Sequence, residues 1–105
     1  MNRDELKAIL EKTKIPFEYD EFKDEEPKLP FGSFLAGDTI PIYADCELVG
    51  KIKQWSIELY TREKDESVEM EVENVLALYG IGWEKEENPI PGEEIYQCIY
   101  NIETE

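Results

Sequence analysis

Apolar and polar residues recur along this chain with two different periods, one typical of helices and one typical of strands. Near the N-terminus, apolar residues recur at helical spacing at Leu6, Ile9 and Leu10. Asn2 precedes them and is followed three residues later by Glu5, the pattern of a capping box at the start of a helix. These features predict a short amphipathic helix over residues 3–13, which Pro16 ends.

A second helix is predicted in the C-terminal half, after the charged segment 62–66. Its apolar residues fall at i, i+4, i+7, i+8 and i+11, a spacing that forms one stripe along a helix. The residues of this stripe are Val68, Val72, Val75, Leu76 and Tyr79. The pattern places Glu69, Glu71 and Glu73 on the opposite, solvent-facing side, and Gly80 in a left-handed cap at the end of the helix.

Strict alternation of apolar and polar residues is clearest over residues 51–61, which we predict to be a strand. Trp55, Ile57 and Leu59 fall on one face of this strand and are expected to point into the core. A turn is predicted just before it, in the segment 45–50 that ends in a glycine.

Two more strands are predicted near the C-terminus, over residues 81–87 and 94–102. The segment between them, 88–92, contains two prolines and a glycine and is predicted to be a turn. The last strand has apolar side chains on both faces, which is typical of a central strand covered on both sides.

Weaker strand patterns occur in the N-terminal half. Phe17, Tyr19 and Phe22 lie among acidic residues, which predicts a half-buried strand or an extended arm. The charged segment 23–28 is predicted to be a loop. Residues 29–43 contain two prolines and two glycines among apolar residues, which favours an edge strand or irregular extended structure.

The order of these elements indicates the fold class. Helix, strands, helix and two more strands follow one another, and a chain of 105 residues has the length of one domain. The sequence therefore predicts a single α+β domain over residues 1–105. We expect a small, mostly antiparallel sheet of about four to five strands with two helices packed on it.

Charge narrows the functions open to this chain, which has 26 acidic and 11 basic residues, no histidine and a formal net charge of −15. A surface this negative repels nucleic-acid phosphates and anionic lipids, so we expect neither direct nucleic-acid binding nor membrane attachment. Residues 63–105 carry 13 acidic and 2 basic groups, whereas residues 29–62 are nearly neutral and rich in aromatics. The segment 29–62 is therefore the better candidate for contact with a protein partner.

The residue types argue against catalysis. Without histidine, Ser/His/Asp and Cys/His nucleophilic sites and histidine-containing zinc sites are excluded within this chain. Acidic clusters occur at 24–26, 65–66, 84–87 and 93–94, but their spacing selects neither an acid–base pair nor a metal-binding loop, and solvated faces are the simpler interpretation. We predict that the protein is not an enzyme, with no catalytic residues, no cofactor and no metal site.

Trp55 and Trp83 could stack on a ligand, but both lie in predicted strands, where a core or interface role is more common. Cys46 and Cys98 are too few for a disulfide framework, and their spacing does not predict a pair. We expect two reduced thiols, with Cys98 behaving as a small core residue.

Short motifs occur in a consistent order along residues 15–102. They are KLPF at 28–31, AD at 44–45, WSIELYT at 55–61, KD at 64–65 followed by Glu69, WEK at 83–85 and EIYQCIY at 94–100. In this order they resemble small structural proteins of the head-to-tail connector and tail modules of Siphoviridae-type phages and of prophages in Gram-positive bacteria. The most specific piece is IELYT followed by KD and a Glu-rich helix, whereas the glycine-containing segment 32–38 departs from the pattern.

The resemblance implies a tail completion or tail terminator-like protein, which forms a homo-oligomeric ring, commonly a hexamer, where the tail tube meets the head. It implies other phage tail or head-connector proteins as partners. The expected location is the host cytoplasm during assembly and then the virion. No catalytic, cofactor-binding or metal-binding residue is carried over.

Two alternative functions stay open at this point. One is an acidic phage inhibitor that mimics the charge of DNA and occupies a host DNA-binding enzyme. The other is a small α+β interaction domain outside any phage. The neutral, aromatic segment 29–62 favours assembly over DNA mimicry.

Overall fold

A computed structural model describes residues 1–20, 28–92 and 94–105. Over these residues it has two helices and five strands, which confirms the predicted α+β class. The helices are α1 Arg3–Leu10 and α2 Glu66–Leu78, and the strands are β1 Phe17–Tyr19, β2 Phe31–Ala44, β3 Glu47–Thr61, β4 Trp83–Ile90 and β5 Ile95–Thr104. The strand order in the sheet is β1-β2-β3-β5-β4, and all neighbours are antiparallel except β1 and β2.

The first helix begins and ends as predicted. The Asn2 side chain accepts a hydrogen bond from the backbone N–H of Glu5 at 2.8 Å, and the Glu5 carboxylate accepts one from the N–H of Asn2 at 3.4 Å. The helix continues as one 3-10 turn, Glu11–Thr13, and ends at Lys14, whose φ is 65°. Within the described residues, neither helix has the length and apolar character needed to cross a membrane.

The core lies on one face of the sheet, where both helices pack. Trp55, Ile57 and Leu59 of β3 are buried there, as predicted. The other buried apolar residues of the same cluster are Leu6, Ile9, Leu10, Ile15, Phe17, Phe34, Val72, Leu76, Ile81, Cys98, Tyr100 and Ile102. The stripe predicted on α2 therefore supplies core residues, and Gly80 ends that helix with a φ of 69°, as expected for a left-handed cap.

The other face of the sheet is not covered by any helix of the described residues. β5 does lie between β3 and β4, but only one of its faces is buried, so the prediction that both faces are covered is wrong. On the uncovered face, Gln97 and Ile99 are half-buried, and Asn101 and Glu103 are exposed. Isoleucines on this face gain partial shielding from cross-strand neighbours, which is why the sequence pattern resembles two-sided burial.

Strands β2 and β3 form one long hairpin. Its turn is at Asp45 and Cys46, which have φ of 50° and 66°, values typical of a tight two-residue hairpin turn. The turn lies within the predicted segment 45–50 but is shorter than that segment, because β3 begins at Glu47 rather than at Lys51.

β2 is one strand with two shifts in its register against β3, between Ala36 and Thr39 and between Ile42 and Tyr43. β1 pairs only with residues 32–34, so the rest of β2 is an edge strand, one of the two predictions made for this segment.

The beginning of β2 is held against the core by a close backbone approach. A side chain at Gly32 would place its Cβ 2.2 Å from Cε1 of Phe17 and 2.7 Å from the carbonyl oxygen of Glu58. Glycine is therefore required there, because the buried Phe17 ring lies directly over the strand. Phe22 and residues 23–27 of the predicted loop lie outside the described residues.

Strand β4 is longer than predicted. It continues through Asn88, Pro89 and Ile90, so the turn that joins it to β5 begins at Pro91 rather than Asn88. Pro89 is tolerated because β4 is at the edge of the sheet and needs hydrogen bonds on one side only.

Candidate functional site

The hairpin projects from the body of the molecule as an arm, which we define as residues 39–53. The molecule measures 52 × 26 × 23 Å. A 15-residue strand such as β3 is about 50 Å long and so accounts for the long dimension. Residues 39–51 have no buried member, whereas β3 supplies buried residues from Trp55 onward. The arm is therefore held by its own strand pairing and has no core beneath it.

Apolar side chains are exposed along this arm. Tyr43 is 64% exposed, Val49 61% and Leu48 52%, and Ile40 and Ile42 are also exposed. Single exposed apolar residues are common on protein surfaces, but five on one projecting hairpin form a patch. A patch of this kind is typical of an interaction surface.

The pairing register places part of this patch on the uncovered face of the sheet. Ile40 pairs with Ile52, and Ile42 pairs with Gly50, where a Cβ would lie 3.8 Å from Cδ1 of Ile42. Leu35 continues the same face toward the body, opposite Ser56. A register shift between Ala36 and Thr39 separates Leu35 from the isoleucines of the arm on this face.

Charge also distinguishes the arm from the body. It holds two acidic residues, Asp45 and Glu47, and two basic residues, Lys51 and Lys53. Its formal charge is zero, so the other 90 residues carry the whole net charge of −15. The arm can approach an acidic surface without the repulsion that two bodies would experience.

A cleft of about 660 Å³ lies at the base of the arm. Two tryptophans are among the residues that line this cleft, Trp55 of β3 and Trp83 of β4. Two glycines in its wall, Gly37 and Gly82, contribute no side chain and leave it open. The remaining residues around the cleft are Gln54, Ser56, Glu84, Asn101, Ile102 and Glu103.

The two tryptophans have different environments. The indole N–H of Trp55 donates a hydrogen bond to Oγ1 of Thr104 at 3.0 Å, and this side chain belongs to the core. Trp83 packs edge-on against Tyr100, with 5.4 Å between ring centroids, and stays 38% exposed. The register places both indoles on the helix-covered face, in one row with Ile102. The polar side chains that line the cleft lie on the uncovered face; they are Gln54, Ser56, Glu84, Asn101 and Glu103.

A cluster of ion pairs lies at the other side of the core, around Glu69. The predicted position of Glu69 on the solvent-facing side of α2 is wrong, because Glu69 is only 1% exposed. Its carboxylate accepts hydrogen bonds from Nζ of Lys64 at 3.0 and 3.2 Å and is also paired with Nζ of Lys85. Lys64 is paired with Glu87 as well, and Lys85 lies 3.6 Å from Glu73. Every charge in the cluster therefore has an opposite charge beside it.

The pairing changes the protonation equilibria of these groups. Burial alone raises the pKa of the Glu69 carboxyl, but hydrogen bonds from Lys85 and Lys64 outweigh it, so this pKa lies below its usual value. Burial lowers the pKa of Lys85, but the hydrogen bond and charge of Glu69, with the charge of Glu73, raise it above the usual value. A hydrogen bond from Lys64 lowers the pKa of Glu87. Glu69, Lys85 and Glu87 are therefore charged at neutral pH.

The same cluster contains a possible ligand set for a metal ion. One atom each of Glu69, Glu87 and Cys98 lie within 4.8 Å of one another. However, Lys64 and Lys85 already neutralise both carboxylates, and burial with the charge of Glu69 raises the pKa of the Cys98 thiol to about 12. A thiol must lose its proton to bind a metal, so this arrangement fits a structural ion-pair cluster better than a metal centre.

A second polar network lies on the uncovered face of the sheet. The Glu58 carboxylate accepts hydrogen bonds from Oγ of Ser33 and from the hydroxyl of Tyr60, both at 3.1 Å. Nε2 of Gln97 donates to the same hydroxyl at 3.1 Å. Burial and the Glu58 charge raise the pKa of Tyr60, so it stays a neutral hydrogen-bond donor. The network links three strands and stabilises the sheet without a covering layer.

Within the described ranges 1–20, 28–92 and 94–105, the arm and the cleft are two exposed surfaces that the core of the fold does not use. In the comparisons with known proteins, no protein-family model matches the chain and no curated protein matches it. We therefore interpret the two surfaces from their own geometry and charge.

Proposed function

We propose that this protein is a non-enzymatic phage or prophage morphogenesis protein, a tail completion or terminator-like component of the head–tail junction. It acts by self-assembly and by contacts with other tail or head-connector proteins. The observation that carries the proposal is the arm, with five exposed apolar side chains on a hairpin that has no core beneath it. The order of sequence motifs along residues 15–102 supports the same assignment.

The arm suits assembly because it holds its shape before it meets a partner. Its strands are paired over residues 39–44 and 47–53, so a partner gains apolar contacts without first ordering a flexible segment. Removal of the exposed apolar side chains of the arm from water by a protein partner would favour association. The zero net charge of the arm also favours assembly. Direct contact between the bodies of two copies would bring two large negative charges together, whereas contact through the arm does not.

The proposed ring also gives a role to the excess of acidic residues. Thirteen of the acidic groups lie in residues 63–105, which form α2, β4 and β5. In a ring that surrounds a DNA channel, a negative inner surface would repel the phosphate backbone and let DNA pass without binding. The protein would be found in the host cytoplasm while tails assemble and in the virion afterwards.

Self-association of the purified chain tests the proposal. Light scattering coupled to size exclusion should give an oligomer, and negative-stain electron microscopy should show closed rings. Replacing two arm residues together, Tyr43→Ser and Leu48→Ser, should weaken association at least tenfold. Met70→Ser is the matched control, since Met70 is 57% exposed on α2, away from the arm, and this change should leave association as it is.

Two results would overturn the proposal. One is a chain that stays monomeric over the whole accessible concentration range and does not bind purified tail tubes. The other is a monomer that inhibits a host restriction nuclease stoichiometrically, which is the result expected for a DNA mimic.

A further inference from the structure

We propose that one side of the arm of one copy, the side that carries its lysines, packs on the uncovered face of the sheet of a second copy. This contact presupposes the self-assembly proposed above and names the two surfaces that meet. The first surface, the lysine face of the arm, consists of Thr39, Pro41, Tyr43, Leu48, Lys51 and Lys53. The second surface, the acidic face of the body, is the part of the uncovered face that carries Glu58, Glu84, Glu86 and Glu103.

The pairing register places both lysines of the arm on one side. Alternate residues of β3 point to the same side of the sheet, and Nζ of Lys53 lies 5.0 Å from the centroid of the buried Trp55 ring. Lys51 is therefore on that side as well, together with Pro41, its partner on β2. No helix of the described residues covers the arm on this side, and Lys51 is exposed.

Exposed apolar side chains share this side of the arm with the lysines. Tyr43 pairs with Leu48, and these two residues are 64% and 52% exposed. The acidic residues of the arm lie elsewhere, since Asp45 is in the turn and Glu47 pairs with Ala44 on the other side. The lysine face therefore combines positive charge with two large apolar side chains.

Acidic side chains dominate the uncovered face of the body. Ile99 of β5 lies between Glu58 of β3 and Glu86 of β4. Glu84 is two residues from Glu86 on the same strand, and Glu103 lies on this face of β5. Ile99 is half-buried, so it offers an apolar contact between the carboxylates.

The strands that form the acidic face contribute no basic side chain to it. Residues 54–60 and 97–103 contain no lysine or arginine, and Lys85 of β4 points to the helix-covered face, where it is paired with Glu69. Each of the two surfaces would repel a second copy of itself, because like charges placed opposite one another are unfavourable. The lysine face therefore fits the acidic face better than either surface fits its own kind.

The contact must join two copies. The lysine face and the acidic face point to opposite sides of one sheet, so a chain cannot bring its own two surfaces together. Because the surfaces differ, each copy binds one neighbour with its arm and another with its sheet, and a head-to-tail contact of this kind can close into a ring. Packing of one arm on another would be self-complementary and would give a dimer.

The spacing of the charges is compatible on the two surfaces. Lys51 and Lys53 are two residues apart on β3, and Glu84 and Glu86 are two residues apart on β4. Roughly 7 Å of extended strand therefore separates the members of each pair. Sheets that pack face to face keep their strands nearly aligned, which allows the two pairs to meet. Exposed ion pairs add little affinity, so apolar burial supplies most of the binding and the charges fix its position.

A charge exchange tests which surface receives the arm. Lys51→Glu should raise the dissociation constant of the oligomer at least tenfold, because it places a carboxylate against the acidic face. Adding either Glu84→Lys or Glu86→Lys to this variant should restore the association of the wild type. Adding Glu71→Lys instead returns the net charge to the same −15 at an exposed position of α2, and it should not restore association.

Three results of this exchange would overturn the docking inference while the proposed function stands, because oligomers still form. One is an unchanged dissociation constant for Lys51→Glu. The second is restoration by Glu71→Lys, which would mean that net charge controls association or that the arm binds α2. The third is failure of both Glu84→Lys and Glu86→Lys to restore association. A wild-type chain that never associates would overturn the docking inference and the proposed function together.

A cross-link measures the contact without altering the charges. All proteins in this experiment carry Cys46→Ser, and Cys98 should not react, because it is buried and burial raises its pKa to about 12. One protein carries Pro41→Cys, on the lysine face, and the other carries Asn101→Cys, on the acidic face. Asn74→Cys, at an exposed position of α2, replaces Asn101→Cys in the matched control.

The two proteins are mixed, allowed to assemble and treated with a short bis-maleimide. We expect Pro41→Cys to be joined to Asn101→Cys at least tenfold more than to Asn74→Cys. Equal yields at the two asparagine positions would contradict the docking inference. Cross-links found only between two Pro41→Cys chains would indicate packing of arm on arm and would also contradict it.

Discussion

At the scale of single residues, Glu69 shows how a buried charge is accommodated in a small domain. An unpaired carboxylate in this position would cost several kcal/mol of desolvation. Lys64, in the loop before α2, and Lys85, on β4, supply the opposite charges. These are the only two basic residues in 63–105, and both are used in the same cluster.

Replacing Glu69 by Gln should therefore destabilise the fold in a pH-dependent way. At pH 7 the change leaves Lys85 without its main partner, and we expect a loss of about 3 kcal/mol in the free energy of unfolding. The pKa of Glu69 is lowered in the folded state, so its contribution is complete above the unfolded value of about 4.3 and is lost as the pH falls through the lowered folded value. The difference between variant and wild type should thus close below about pH 4.

Urea unfolding at a series of pH values from neutral to acid measures this effect. Glu71→Gln, at an exposed position of the same helix, is the control and should change the stability by less than about 0.5 kcal/mol. A constant difference between Glu69→Gln and wild type across the whole pH range would contradict the ion-pair explanation.

At the scale of elements, the hairpin of β2 and β3 has one part that contributes buried residues to the core and one part, the arm, that does not. Near the body, β3 has buried neighbours on both sides and contributes Trp55, Ile57 and Leu59 to the core. Beyond Lys53, the same strand is paired only with β2. The two parts should respond differently to the same substitution.

Leucine-to-alanine changes on β3 test this division. Leu59 is 1% exposed, and Leu59→Ala should lower the free energy of unfolding by about 2–5 kcal/mol because it leaves a cavity in the core. Leu48→Ala, on the same strand but in the arm, should change it by no more than about 0.5 kcal/mol. Chemical unfolding of the monomeric chain at low concentration gives both values, and a large loss for Leu48→Ala would show that the arm belongs to the folded core.

At the scale of the whole molecule, charge and shape act together. The body carries all of the net charge of −15, and the neutral arm extends the molecule to 52 Å. Repulsion between bodies acts over about a Debye length, roughly 30 Å at 0.01 M salt and 10 Å at 0.1 M. An arm that separates two bodies reduces this repulsion, but does not remove it at low salt.

The proposed self-association should therefore strengthen as salt is added. We expect the dissociation constant of the oligomer to fall several-fold between about 0.02 and 0.3 M NaCl, because screening weakens the repulsion between bodies more than it weakens apolar contacts. Sedimentation velocity at fixed protein concentration measures the change. Dissociation on addition of salt would mean that ion pairs, rather than apolar contacts of the arm, hold the assembly together.

The sequence alone was enough to predict both helices, the core face of β3 and the cap at Gly80, because each depends on local spacing or on one residue's backbone preference. It also indicated that segment 29–62, which contains the arm, is the neutral and aromatic part of the chain. The projection of that arm was not predictable. The projection depends on how far the helices cover the sheet. The sequence pattern within residues 39–53 does not indicate this.

Only the tertiary structure decided the environments of Glu69 and Trp83. Glu69 lies three residues before Val72, close to the buried side of α2, and its burial depends on pairing with Lys64 in the preceding loop and with Lys85, which the fold brings from β4. Trp83 lies at a cleft because β5 is inserted between β3 and β4, which brings the start of β4 near the base of the arm. Both depend on contacts between residues far apart in the chain, whereas periodicity reports only on neighbours.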